Sequence, residues 1–125
     1  MSPTITLELP YPPSVNHYWR YVRVGRATRV ILSRQAHAYR DAVEARCIVV
    51  PFEQRCLIGP LRVVVTLHPP DRRKRDVDNT LKAILDAMQH GHLFCDDGQI
   101  TDLRVIRDDI VRGGRADVRI TELKA

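Results

Sequence analysis

Apolar and polar residues alternate from Thr4 to Leu9, with Ile5, Leu7 and Leu9 on one side, which is the two-residue period of a half-buried strand. Pro10 ends it. The segment Pro10-Tyr11-Pro12-Pro13-Ser14 must run as an extended loop, because each proline fixes its own φ and turns its predecessor away from helix. Tyr18–Val24 and Arg29–Leu32 read as a short hairpin about Gly25. Ser33 then stands as an N-cap, and Ala36, Tyr39, Val43, Cys47 and Val50 recur every three or four residues down to Pro51, predicting a first amphipathic helix. The β-branched run Leu61–Leu67 predicts a central strand that stops at Pro69-Pro70. Leu81, Ile84, Leu85 and Met88 predict a second helix over residues 78 to 90, stopped by Gly91. Leu103–Arg107 and Asp117–Leu123 are the last strands, with Gly113-Gly114 as the turn of a closing hairpin. The order strand, hairpin, helix, strand, helix, two strands predicts an α+β fold in which two helices pack on a mixed β-sheet. At 125 residues the chain suits a single domain over residues 1–125.

Composition narrows the class. A hydrophobic share of 44% with 28% charged residues is that of a globular chain. No run approaches the roughly 18 apolar residues that a membrane span needs. The N-terminus has no basic region followed by an apolar run, so a cytoplasmic location with no membrane partner is expected. Cys47, Cys56 and Cys95 contain no CxxC pair and read as reduced thiols. Twenty Lys and Arg against fifteen Asp and Glu give a net charge of +5, which favours a polyanionic partner.

The distribution of charge is more telling than the total. Four consecutive cations, Arg72, Arg73, Lys74 and Arg75, lead directly into Asp76-Val77-Asp78 at the start of the second helix. Hard divalent cations take carboxylate and phosphate oxygens and keep places for water and substrate, so an Asp-x-Asp pair beside phosphate-binding cations suits metal-assisted phosphodiester chemistry. Lys82 follows Asp78 by four residues, one helical turn, and is placed to contact a reacting phosphate. A second acidic element, Asp96-Asp97-Gly98, follows that helix, and a returning chain is expected to bring Asp97 to the first pair.

Pro70-Asp71-Arg72-Arg73-Lys74-Arg75-Asp76-Val77-Asp78-Asn79, Lys82 and Asp96-Asp97 resemble the RusA family of prophage-associated Holliday-junction resolvases. Leu9–Ser14 is similar to that family's proline-rich N-terminal segment, and Gly113-Gly114-Arg115 with Ile120-Thr121-Glu122 to its closing hairpin. The resemblance implies a Mg²⁺-dependent endodeoxyribonuclease, with Mn²⁺ as the alternative ion. It implies a homodimer acting on four-way junctions in DNA recombination and repair. Metal ligands would be Asp76, Asp78 and Asp97, with Asp96 as an auxiliary candidate, and the catalytic lysine would be Lys82. Arg72, Arg73, Lys74 and Arg75, beside the metal motif, read as a grip on DNA phosphates, and Asn16 matches an asparagine of the family's N-terminal loop and is a candidate for DNA contact. One departure is Val15, where the family's loop often carries a second asparagine beside the one matching Asn16. Two symmetric nicks call for two sites related by a two-fold axis, which a homodimer supplies.

Plainer readings stand beside these. Asp76 and Asp78 are good helix caps, Asp96-Asp97-Gly98 is a good turn, and Lys82 and the cationic run are ordinary solvated side chains. On those readings the chain is a non-catalytic nucleic-acid-binding module, and a nuclease for other branched DNA is a third alternative. Tyr18, Trp19 and Tyr21 either pack on the sheet or stack on exposed bases. His90, His92 and Cys95 can bind zinc, but their spacing matches no standard site and no fourth ligand is evident.

Overall fold

The computed structural model describes residues 4–123. Its strands are β1 (Thr4–Leu9), β2 (Trp19–Val24), β3 (Ala27–Leu32), β4 (Leu61–His68), β5 (Ile100–Arg107) and β6 (Arg115–Glu122), and its helices are α1 (Arg34–Cys47) and α2 (Leu81–His90). The α+β expectation holds. A four-stranded mixed sheet runs in the order β1-β6-β4-β5, and β2 with β3 makes a separate two-stranded ribbon.

β4 is the most thoroughly apolar strand, with Leu61, Val63, Val65 and Leu67 all buried, and it takes an inner place. β6 pairs with it antiparallel on one side and β5 parallel on the other. This corrects the expected closing hairpin: Gly113 and Gly114 do turn the chain, at φ 82° and 73°, but β5 and β6 never touch as neighbours. A glycine pair specifies a reversal and leaves open which strand lies alongside, and burial of the apolar β4 between them decides that. A parallel pair cannot be closed by a tight turn, so β4 and β5 are joined by a crossover that carries α2.

Ile5, Leu9, Val118, Ile120, Val63 and Val65 share one core with Ala36, Tyr39, Val43 and Cys47 of α1 and Ala83, Ile84, Ala87 and Met88 of α2. Ser33 caps α1 through its side chain, which accepts from the Ala36 amide at 3.0 Å. Val50 lies beyond the helix, which ends at Cys47. Burial pushes the Cys47 thiol up to about 11, as suits a core cysteine.

α2 starts later than its apolar period suggests. Val77–Thr80 forms a 3₁₀ turn instead, closed by the Thr80 hydroxyl donating to the Val77 carbonyl at 2.9 Å. Asp, Asn and Thr are poor helix formers whose side chains compete for nearby backbone, so the tighter turn wins ahead of Leu81. Gly91 does end the helix, but at φ −79°, and it is His92 that takes the positive φ of 63°. What Gly91 provides is room: a Cβ there would stand 2.6 Å from the Cys47 Sγ.

The base of the β2–β3 ribbon is tied to both helices. Tyr18, fully buried, donates from its hydroxyl to Asp86 Oδ2, and Arg40 Nε donates to the same oxygen at 2.8 Å. Burial alone would raise the Asp86 carboxyl. The bonds from Arg40 and Tyr18 outweigh it and hold the group below the usual carboxylate range.

Two outcomes follow for stability. Gly91→Ala should cost about 1–3 kcal/mol through overpacking, and Cys47→Ala in the same chain should recover part of it, as read from urea unfolding midpoints. Because the folded-state value of Asp86 is depressed, its contribution is complete above the unfolded value of about 3.9 and fades as pH falls through the folded one. Asp86→Asn should therefore lower the midpoint at pH 7 and narrow its gap to wild type towards pH 2.

Candidate metal and DNA site

The cationic loop and the 3₁₀ turn lie where the chain leaves β4 and enters α2, beyond the C-terminal ends of the parallel strands, the edge at which open sheets of this kind tend to bind ligands. A cleft of about 610 Å³ opens there. Its walls are Arg73, Lys74, Arg75, Asp76, Asn79 and Thr80 on one side and Tyr11, Pro12, Ser14 and His17 on the other. The proline-rich loop is fixed from below by the Tyr39 hydroxyl, which donates to the Pro10 carbonyl at 2.9 Å.

The four cations of the loop are not equivalent. Arg75 is engaged within the chain: it pairs with Asp71 at 2.8 Å and lies over the Tyr11 ring at 5.7 Å. The hydrogen bond from Arg75, with one from the Arg73 amide, holds the Asp71 carboxyl down to about 2. Arg75 thus shapes the loop, and its carbonyl is in turn gripped by the Arg107 guanidinium from the end of β5. Arg72, Arg73 and Lys74 are exposed and, among the described residues, their side chains have no ion-pair partner. Asn16 is also exposed, in a 3₁₀ turn over Val15–His17 whose His17 Nδ1 is 3.0 Å from the Ser14 hydroxyl. His17, Ser14 and Tyr11 are wall residues that the motif spacing did not single out. Only the fold brings the proline loop against the cationic one.

The capping reading separates the aspartates. Asp76 sits at the N-cap position of its turn, yet its side chain caps nothing. Asp96 caps fully: its carboxylate accepts from the Gly98 amide, and Gln99 reaches back to its backbone in a reciprocal capping box. The difference is legible at the third position, where the longer Gln99 spans back and Asn79 is too short to do so. Among the described residues, Asp76, Asp78 and Asp97 have no side-chain hydrogen bond or ion pair, and all three are exposed. Asp96 is thus held by its own turn, while these three carboxylates are uncommitted.

The expected return of Asp97 to Asp76 and Asp78 within one chain does not occur. Its amide donates to the Gln89 side chain at the C-terminal end of α2, whereas Asp78 precedes the N-terminal end. From Leu81 to Gln89 the helix rises about 12 Å. β5 gives a second ruler: Asp97 lies just before Ile100, and Arg107 at the far end touches Arg75, a strand of about 23 Å. Ligands of one Mg²⁺ or Ca²⁺ ion each stand about 2–2.6 Å from it, so they cannot be spread over such distances. Accordingly, among the described residues no three His, Cys, Asp or Glu side chains are grouped to hold a metal. That includes His90, His92 and Cys95, which share a smaller cleft with Cys56 without forming a ligand set.

Lys82 is exposed on the first turn of α2, and its Nζ lies 5.8 Å from the centroid of the Trp19 ring. Because residues 77–80 are 3₁₀, the one-turn spacing from Asp78 to Lys82 is not that of a continuous α-helix. The cation is held by the aromatic ring at the base of the ribbon.

Comparison with known proteins agrees with the motif resemblance over nearly the whole chain. The family model described as Endodeoxyribonuclease RusA matches residues 10–121. The crossover junction endodeoxyribonuclease RusA of Escherichia coli (strain K12) is 39% identical over 120 residues, covering 96% of this chain and 96% of that protein. The crossover junction endodeoxyribonuclease of Enterobacteria phage 82 shows the same identity and coverage, and that of Shigella sonnei (strain Ss046) is 38% identical with equal coverage. With both the family model and relatives of this identity spanning the chain, the protein belongs to the RusA family of endodeoxyribonucleases.

Proposed function

We propose that this enzyme resolves four-way DNA junctions by paired nicks that depend on Mg²⁺, with Mn²⁺ as the alternative ion, and that it does so as a homodimer. The observation that carries the reading is the pair of uncommitted carboxylates, Asp76 and Asp78, which follow Arg75 and three cations that have no ion-pair partner among the described residues, at a cleft edge. Carboxylate oxygens suit a hard divalent cation, which supplies an activated water and a polarised phosphoryl oxygen when bound. The chain's own residues do the rest. Arg72, Arg73 and Lys74 hold backbone phosphates and set the register of the duplex without reading its sequence. Lys82 stabilises negative charge on the reacting phosphate, and its contact with the Trp19 ring holds the ammonium at the base of the ribbon.

The two rulers bear on the third ligand. Since Asp97 stands at the opposite end of α2 from Asp76 and Asp78, a two-fold pairing of chains supports a site in which Asp97 of one chain faces Asp76 and Asp78 of the other. Each dimer then has two identical sites, as two symmetric nicks require. The relatives are bacterial and phage proteins, and among the described residues no helix is long and apolar enough to cross a membrane; a cytoplasmic location is proposed.

Asp76→Asn should lower junction cleavage about a hundredfold or more while leaving junction binding close to wild type, measured by gel shift and nicking assays with Mg²⁺. Unchanged cutting would remove Asp76 from the site. The shared site has its own test. Asp76→Asn and Asp97→Asn chains, each inactive alone, should regain single-strand nicking when mixed and allowed to exchange, because one of the two sites in the mixed dimer is then intact. A site built within one chain predicts no recovery.

A further inference from the structure

Apart from Trp19, whose ring holds Lys82, the β2–β3 ribbon is not used by the site described above. It forms its own two-stranded sheet, and a ribbon of that size is marginal by itself, so its anchor matters. Tyr18 is buried at its base, packs edge-on against Trp19 at 5.2 Å, and its carbonyl accepts from the Ser33 amide at 2.9 Å. Beyond that anchor both faces are open. On one face Tyr21 is 73% exposed and its cross-strand partner Val30 53%, and on the other Arg20 and its partner Ile31 are exposed as well.

Charge points to the occupant. From Pro10 to Arg40 the sequence has no Asp or Glu, and the ribbon carries Arg20, Arg23, Arg26 and Arg29, all exposed. Among the described residues none of these four guanidinium groups has an ion-pair partner. An anionic ligand is thus favoured over a second copy of this cationic chain at the same ribbon.

The aromatic residues give the form of that anion. Trp19, Tyr21 and Arg23 share one face of β2, and the face begins at the Lys82 ammonium over Trp19. Alternate residues of a strand are about 6.8 Å apart, twice the roughly 3.4 Å rise between bases of a duplex strand. Such a face does not match stacked bases and does match splayed ones, which a branch point provides.

We propose that the ribbon is a second DNA-binding element, in which Tyr21 stacks on an unpaired base at the branch point while Arg23 on the same face and Arg26 at the turn hold the phosphates beside it. The inference rests on branched DNA being the substrate. It assigns preference for a junction over linear DNA to the ribbon, leaving general phosphate affinity to the cationic loop as well.

The test uses full-length protein without divalent metal, a four-way junction carrying 2-aminopurine at the branch point, and a linear duplex of equal length. Tyr21→Ala should weaken junction binding about fivefold or more, leave duplex binding within about twofold, and abolish the fluorescence change, while Tyr21→Phe keeps all three near wild type. Arg23→Ala and Arg26→Ala should each lower the slope of log affinity against log salt by about one. Unchanged junction binding in Tyr21→Ala, an equal loss on the duplex, or unchanged salt slopes would overturn the proposal. Dissociation of the Tyr21→Ala dimer in sedimentation would overturn it too, by showing that the ribbon pairs chains. Wild-type protein that binds neither DNA would sink the branched-DNA reading itself, a failure visible before any variant is compared.

Discussion

The parallel pairing of β4 with β5 is the constraint on which the site depends. Two parallel strands must be joined by a crossover, and here that crossover is the cationic loop, a 3₁₀ turn, α2 and the Asp96–Gln99 turn in series. Its geometry sends everything before α2 to one edge of the sheet and everything after it to the other. The exposed cations Arg72, Arg73 and Lys74 and the Asp76–Asp78 pair therefore sit together at the strand ends. Asp97 is carried to the opposite edge by the length of a ten-residue helix.

Much of this was legible in the chain. β1 has the bounds its alternation implies, because Pro10 marks its end, and α1 starts where Ser33 caps it. β4 was evident from its β-branched run. What local pattern could not reveal is pairing, since the Gly113-Gly114 turn reads alike whether the strands beside it are neighbours or separated by β4. The start of α2 was missed for a local reason: the apolar period tracks the buried face and is silent about whether Asp78, Asn79 and Thr80 wind as α or 3₁₀.

The candidate site divides in the same way. The Asp-x-Asp pair and its cations were visible as a motif, and the fold places them at one cleft. That Arg75 is occupied by Asp71 and Tyr11 was not visible as such, although the four-residue spacing to Asp71 was there to be read. The distinction between Asp96 as a cap and Asp97 as an uncommitted carboxylate was also readable, in the glutamine three places after Asp96. The distance from Asp97 to the pair was not. Spacing along the chain gives the length of a path and leaves its direction open until the strand order is known.

Gln99 gives the Asp97 turn a property of its own. Its carbonyl oxygen accepts from the Cys95 and Asp96 amides, and its amide nitrogen donates to the Leu57 and Gly59 carbonyls, each at 2.8–2.9 Å. One side chain thus bolts the turn to the approach of β4, with every contact to backbone. The conformational entropy of that turn is lost as the chain folds, so a surface docking against it meets Asp97 on an already rigid mount and has no loop left to order.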